Sequence, residues 1–200
     1  GGRTNSVFYE RLQNPVPGIM LLKGIEANTD ANGVTDIPYE FIQFLDIILL
    51  GLHDNLPQNK CAGFYTNTLL KSIEANPCID IITHINSASF PVDYDAICMA
   101  AEKNGIAIEL NNSKVRYQRI DSDNTEKLIA SCISSGCLVS LNSDAHCLHE
   151  IGNVIDIYNL IKKMSFPEER IINKTLSKTM DFIAHRKPLK IRASFKDASL

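Results

Sequence analysis

The sequence predicts an α/β fold built on a parallel sheet, and three observations carry that reading. Five short apolar runs recur along the 200 residues, and apolar side chains at helical spacing follow each of them. A strand, a helix and another strand in succession require a crossover, and right-handed crossovers give parallel neighbours. The runs end in polar side chains: Glu26, His53, His84, Asn112, and the pair Asp144 and His146. In a parallel sheet, open or closed into a barrel, those ends share one rim, where ligands gather.

The first helix is expected over residues 5–14, with Phe8, Tyr9 and Leu12 at helical spacing and Pro15 and Pro17 closing it. Residues 18–25 read as a strand ending at Glu26. Asn28, Asp30, Asn32 and Gly33 supply loop and turn chemistry of the kind a hairpin uses, before Pro38 opens a helical stretch around 39–45. A second strand, 46–52, ends at His53. Leu69, Leu70 and Ile73 mark a helix over 66–76, stopped before Pro77. The third strand, 79–82, leads to His84. An acidic start and a following Gly105 bound a helix over 93–104, with Ile97, Ala100 and Ala101 apolar. The fourth strand, 106–110, runs into Asn111 and Asn112 and carries Glu109 near its end. Leu128, Ile129 and Cys132 define a helix over 124–135, which Gly136 ends. The apolar run after Cys137 is the fifth strand, and it empties into Asp144 and His146, two residues apart and so on one side of extended chain. A helix over 149–163 with Ile151, Ile155 and Leu160 inward, a short strand over 170–172 and a helix over 176–185 complete the reading.

Composition narrows the function classes. A hydrophobic content of 44% with 22% charged residues suits an ordinary globular chain. A net charge of −3 argues against broad phosphate neutralisation and so against a nucleic-acid partner; the basic stretches 174–178 and 185–190 read as solvated helix and tail. No apolar run reaches the roughly 20 residues of a membrane span, and the first residues lack a signal peptide's apolar core. Six cysteines without a C-x-x-C pair look like reduced core residues, which places the protein in the cytoplasm.

Three histidines and two carboxylates on one rim suit Zn²⁺, Mn²⁺ or Fe²⁺, because imidazole with carboxylate favours borderline first-row ions. A central carboxylate can bridge two ions that activate water and steady the charge of a phosphoryl transition state. His149 and His185 fall outside this set. The sequence holds no glycine-rich phosphate loop, nucleophile elbow or zinc-finger spacing.

The runs LLKGIEAN at 21–28, IILLGLHDN at 47–55, IITHIN at 81–86, IELNNS at 108–113 and LNSDAH at 141–146 together resemble the polymerase and histidinol phosphatase (PHP) domain, in particular its small stand-alone bacterial phosphatases. The similarity runs from about residue 7 to 187, including FPEERI at 166–171, and makes 1–200 a single domain with a polar tail at 188–200. The resemblance implies a distorted (β/α)7 TIM-like barrel whose strand ends hold up to three metal ions, zinc first and manganese or iron next, and hydrolyse phosphate esters. It implies that Glu26 bridges two ions, that His53 and His84 complete the ligand shell of the second ion, that Asp144 binds the first ion and His146 the third. Glu26, Asp144 and His146 are thus the expected catalytic groups, and Asn112 and Lys114 the expected contacts to a small phosphorylated substrate.

The chain departs from the family pattern at its start. Family members carry a His-x-His motif, a further His and a Thr-Asp-His motif before the segment where this sequence begins. The first ion would then keep Glu26 and Asp144, the third His146 alone, and only the second its whole protein shell. The expectation is a barrel incomplete at its N-terminus, its open edge covered by a second copy in a homodimer. A rival expectation is a catalytically impaired PHP-fold fragment that serves as a binding or scaffolding module.

Overall fold

Five strands hydrogen-bond side by side in chain order, β1 (Gly24–Asn28), β2 (Ile47–Gly51), β3 (Ile81–Ile82), β4 (Ala107–Asn111) and β5 (Leu138–Asn142), every neighbouring pair parallel. The computed structural model describes residues 17–37, 39–117 and 122–194, so the helix expected over 5–14 and the opening Pro38 lie outside the described residues. The connections supply α1 (Tyr39–Ile42), α2 (Ala62–Ala75), α3 (Tyr94–Asn104), α4 (Asn112–Tyr117), α5 (Ser122–Ser135), α6 (Ile155–Lys163) and α7 (Leu176–Ser194). Among the described residues the sheet stays open, with β1 and β5 as its edges.

Strand register divides the sheet into two unlike faces. Side chains alternate along a strand, and Glu26, Leu49, Ile81, Ala107 and Leu138 are linked by register through neighbouring strands. On the opposite face Ile48, Leu50, Ile82, Ile108, Leu110, Val139 and Leu141 are buried in one core with Leu69, Ile73, Ile97, Ala101, Leu128, Ile129, Ile157 and Ile161 of the crossover helices. Each Ile or Leu removed from water there contributes about 1.5–3 kcal/mol, so this face carries most of the apolar stabilisation. The first face holds a smaller cluster, Ile81, Ala107, Ile172 and Phe182 with half-buried Ile47, Leu49 and Leu138 against it. Above that cluster, toward the strand ends, the same face turns polar.

Local signals set several helix ends. Asp93 caps α3 by accepting the Ala96 N–H at 3.1 Å, and Gly105 closes the helix at φ 61°, the left-handed conformation that glycine adopts without a Cβ penalty. The turn chemistry at 28–36 forms the expected hairpin, with Thr29 bridging Thr35 antiparallel and Asp36 accepting from Asn28 N and Nδ2.

Four differences from the sequence reading have physical causes. The first strand begins at Gly24, because pairing with β2 starts at Ile47; Ile19, Met20 and Leu21 are exposed. The helix expected from 149 begins only at Ile155, after a 3₁₀ turn over Leu148–Glu150. Its phase therefore shifts: Ile157 and Ile161 are buried while Ile151 and Ile155 are exposed. The short strand at 170–172 reduces to one parallel bridge, Ile171 with Val139, and Asn173 completes the cover of the β5 edge by bonding both Leu141 N and Leu141 O. Finally, α7 runs through Pro188 to Ser194 where a polar tail was expected.

Buried ion pairing overrides the proline. Asp80, just before β3, is 1% exposed; its Oδ1 accepts from Arg186 Nε at 3.1 Å, and its Oδ2 lies 2.7 Å from Lys190 Nζ and accepts from Ile48 N at 2.8 Å. Arg186 also donates to the carbonyls of Pro77, Ile79, Asn104 and Gly105. Arg186 and Lys190 lie one helical turn apart across Pro188, so one carboxylate holds both sides of the break. Neither belongs to a solvated charge run. No helix among the described residues is long and apolar enough to cross a membrane.

Asp80→Ala would leave two buried cations without their counter-charge, an expected cost of about 3–5 kcal/mol. Urea unfolding monitored by circular dichroism measures it, and a midpoint equal to that of the parent chain would show that the network contributes nothing to stability.

Candidate metal centre

Glu26 near the end of β1, His53 two residues beyond β2 and His84 two residues beyond β3 meet at the carboxyl-terminal rim. His84 Nε2 stands 2.8 Å from Glu26 Oε1, His53 Nε2 3.2 Å from the same oxygen, and the two imidazole nitrogens 3.2 Å from each other. Thr83 Oγ1 donates to that oxygen at 3.0 Å. The rings are set edge to face, with centroids 5.0 Å apart. Close approach depends on Gly51: a Cβ there would lie 2.5 Å from His53 Cε1 and 2.7 Å from Thr83 Oγ1. With no side chain at Gly51, the His53 ring folds back toward Glu26.

These donors fit a cation. One donor atom from each of the three residues falls within 4.8 Å of the others. Bonds of about 2.0–2.2 Å from a tetrahedral ion to nitrogen and oxygen would place such atoms roughly 3.3–3.5 Å apart, a few tenths of an ångström wider than observed. His53 Nδ1 is buried without a hydrogen-bond partner among the described residues, so the ring is oriented from its Nε2 side alone. The charges agree with this crowding. Hydrogen bonds from His53 and His84 hold the Glu26 carboxyl well below the usual carboxylate range. Burial works to lower the His84 value, but the Glu26 hydrogen bond and the Glu109 and Glu26 charges outweigh it and raise it.

A second layer ties this group to the fifth strand. Glu109, 4% exposed, accepts the His84 N–H at 2.8 Å and the Asn111 amide at 3.2 Å on Oε2, and the Asn142 amide at 2.9 Å on Oε1. Burial pushes the Glu109 carboxyl up, against the pull of those donors and of the His84 charge. Asn111 Nδ2 also reaches Asp144 Oδ2 at 3.2 Å. Two non-glycine residues of this network have positive φ, His84 at 33° and Asp144 at 49°. Such backbone is sparsely populated and persists where surrounding bonds over-determine it, commonly at functional sites.

The other expected site residues take separate places. His146 is exposed; its Nδ1 lies 2.8 Å from the Asp144 carbonyl oxygen, while Glu150 accepts its backbone N–H. Because a carbonyl only accepts, Nδ1 carries the hydrogen, which in the neutral ring leaves the lone pair on Nε2. Neither Asp144 nor His146 joins the Glu26, His53 and His84 group within ligand-atom reach of one ion. Asn112 is buried and its Oδ1 accepts the Asp156 and Ile157 N–H groups at 3.0 Å each, which caps the start of α6. Lys114 is half-buried, and its charge acts on His84. Sequence reasoning left out Glu109, Asn111, Asn142 and Thr83 as site residues. Their signal was the period of two: each stands on the same sheet face as Glu26, near a strand end.

The fold and rim define a parallel α/β protein in which two histidines and a carboxylate come close enough together that they could hold a metal ion. No family model matches the chain. It is 30% identical over 171 residues to a probable phosphatase of Acetivibrio thermocellus, covering 85% of this chain and 70% of the relative. A probable phosphatase of Edwardsiella ictaluri is 32% identical over 86% of this chain and 70% of its own length, and one of an Enterobacter species is 33% identical over 84% and 69%. The chain belongs to this family of probable phosphatases.

Gly51→Ala places a methyl group where the His53 ring stands. Its expected effect is a loss of roughly 10–100-fold in zinc or manganese affinity, the range for disturbed support of a metal ligand, with the far-ultraviolet circular dichroism unchanged. Calorimetric titration measures this, and parent-like affinity would show that the ring does not need the space.

Proposed function

We propose that this chain is a metal-dependent phosphoesterase of the PHP type, which hydrolyses a small phosphorylated substrate with water. The observation that carries the reading is the convergence of Glu26, His53 and His84 on one point at the rim of the sheet. Relatives named probable phosphatases give the reaction class.

Glu26, His53 and His84 would hold a divalent ion, with zinc, manganese or iron suited to this donor set. When bound, the ion supplies a Lewis acid for phosphoryl oxygen and lowers the pKa of water to near neutrality. The protein's own groups do the rest. Glu109 holds His84 through its backbone N–H and, through Asn111, holds Asp144, so the two halves of the rim keep a fixed spacing. Lys114 places positive charge beside His84, where a substrate phosphate would meet it. His146 Nε2, with its lone pair and its exposed ring, is suited to exchange a proton with water or with the departing alcohol.

The test is turnover of an aryl phosphate by the full chain with zinc or manganese added. Chelation should abolish it, and His84→Ala should lower kcat/KM by at least about 100-fold, equivalent to about 2.7 kcal/mol of transition-state stabilisation. Turnover that survives both treatments would overturn the metal-dependent reading. A folded chain that binds the ion yet turns over nothing would favour a binding module instead.

Lys114→Ala separates binding from chemistry. Loss of the ammonium should raise KM several-fold with a smaller change in kcat, as expected for uniform binding of an anion. Steady-state kinetics over a range of substrate concentrations reads the split, and an unchanged KM would remove Lys114 from the substrate site.

A further inference from the structure

Three cysteines far from the rim meet on the helix-covered side of the sheet. Cys98 on α3, Cys132 on α5 and Cys137 just before β5 are 0%, 0% and 1% exposed. Their sulfur atoms all lie within 4.8 Å of one another, with Cys98 Sγ and Cys132 Sγ 3.6 Å apart. All three thiols are free. A zinc-class ion with sulfur bonds of about 2.3 Å needs its sulfurs roughly 3.8–4.0 Å apart, so the cluster accepts one with little movement. We propose that Cys98, Cys132 and Cys137 form a buried three-thiolate site for a zinc-class divalent cation, Zn²⁺ or Cd²⁺.

Charge and access support the site. Each sulfur would form one bond to the ion and release its proton to solvent, three protons per ion, leaving a centre of charge −1. Arg170 balances it: its guanidinium donates to the carbonyls of Cys132 and Ile133, and its charge acts on Cys137. The neutral sum matters because a lone charge in an apolar core is costly. A groove of about 690 Å³ between α3 and α5 offers entry, and its wall carries Asp95 and Glu102 against the single cation Lys103, a balance that favours a cation. Ser135 lines the same groove, donates to the Cys132 carbonyl and accepts the Cys137 N–H. The groove therefore stands one residue away from the thiols.

The experiment titrates the full chain with Cd²⁺ under reducing conditions, in a Cys61→Ser, Cys147→Ser background. That background removes both exposed thiols and with them the surface group Cys147, His149 and Glu150. The expected result is a near-ultraviolet thiolate-to-cadmium band that saturates at one equivalent and releases about three protons. Cys132→Ala should weaken it at least 100-fold, whereas His84→Ala, which disables the rim group, should change it less than twofold. Because Cys132→Ala could disturb packing, a second readout uses the background chain: bound Cd²⁺ should slow alkylation of three thiols in mild denaturant. Absence of the band, a band unaffected by Cys132→Ala, or mass spectrometry showing that a Cys98–Cys132 disulfide persists under the reducing conditions of the titration would each overturn the proposal.

Discussion

Asp80 sits beneath the sheet with almost no contact with water, and the order of the elements above it depends on how its charge is met. An isolated carboxylate there would be intolerable; two cations and a backbone N–H make it tolerable. Arg186 answers five groups at once, the Asp80 carboxylate and four carbonyls of the segments that enter β3 and β4. This ties the last helix to the amino-terminal ends of the central strands. Once α7 is held there, Phe182 covers Ile81 and Ala107 from the first face of the sheet.

That cover is partial, and the partial cover makes room for chemistry. The helix-packed face is apolar along the strands; the other is apolar only at its lower end. Toward the strand ends the same face presents Glu26, Thr83, Glu109, Asn111 and Asn142, groups that would be costly in a closed core unless each found a partner. They find one another. Glu109 is the hub, a buried carboxylate that accepts donors from three segments; it bonds the backbone N–H of His84 directly and reaches Asp144 through Asn111, and both of those residues have backbone conformations that neither favours alone. The strain and the polar network coincide, as expected where a site is held against local preference.

The two cysteine- and histidine-rich groups lie on opposite sides of the sheet and differ in kind. The rim group offers nitrogen and oxygen on partly exposed side chains, whereas the thiol group offers sulfur in the core. Such donor sets select different ions and exchange with solvent at different rates, so occupancy of one need not track occupancy of the other. Both groups draw their members from separate elements, and neither has the short ligand spacing that marks a sequence motif.

Much of this architecture was legible in the chain. Alternating apolar runs and helical spacing determined a parallel α/β order, and parallel order by itself brought Glu26, His53 and His84 to one rim, because every strand end must then face the same way. Asp93 and Gly105 marked their helix ends through bonds and backbone angles that are local. What lay beyond the sequence depended on partners distant along the chain. The start of α6 is capped by Asn112, more than forty residues earlier, so the phase of Ile151 and Ile155 was misread. Pro188 reads as a stop, and only the ion pairs to Asp80, over a hundred residues away, carry the helix past it. The meeting of Cys98, Cys132 and Cys137 and the hub at Glu109 likewise belong to the tertiary structure alone. Local periodicity can place a side chain on a face and at an end, but its distance from a neighbour on another strand is decided by packing that no local pattern encodes.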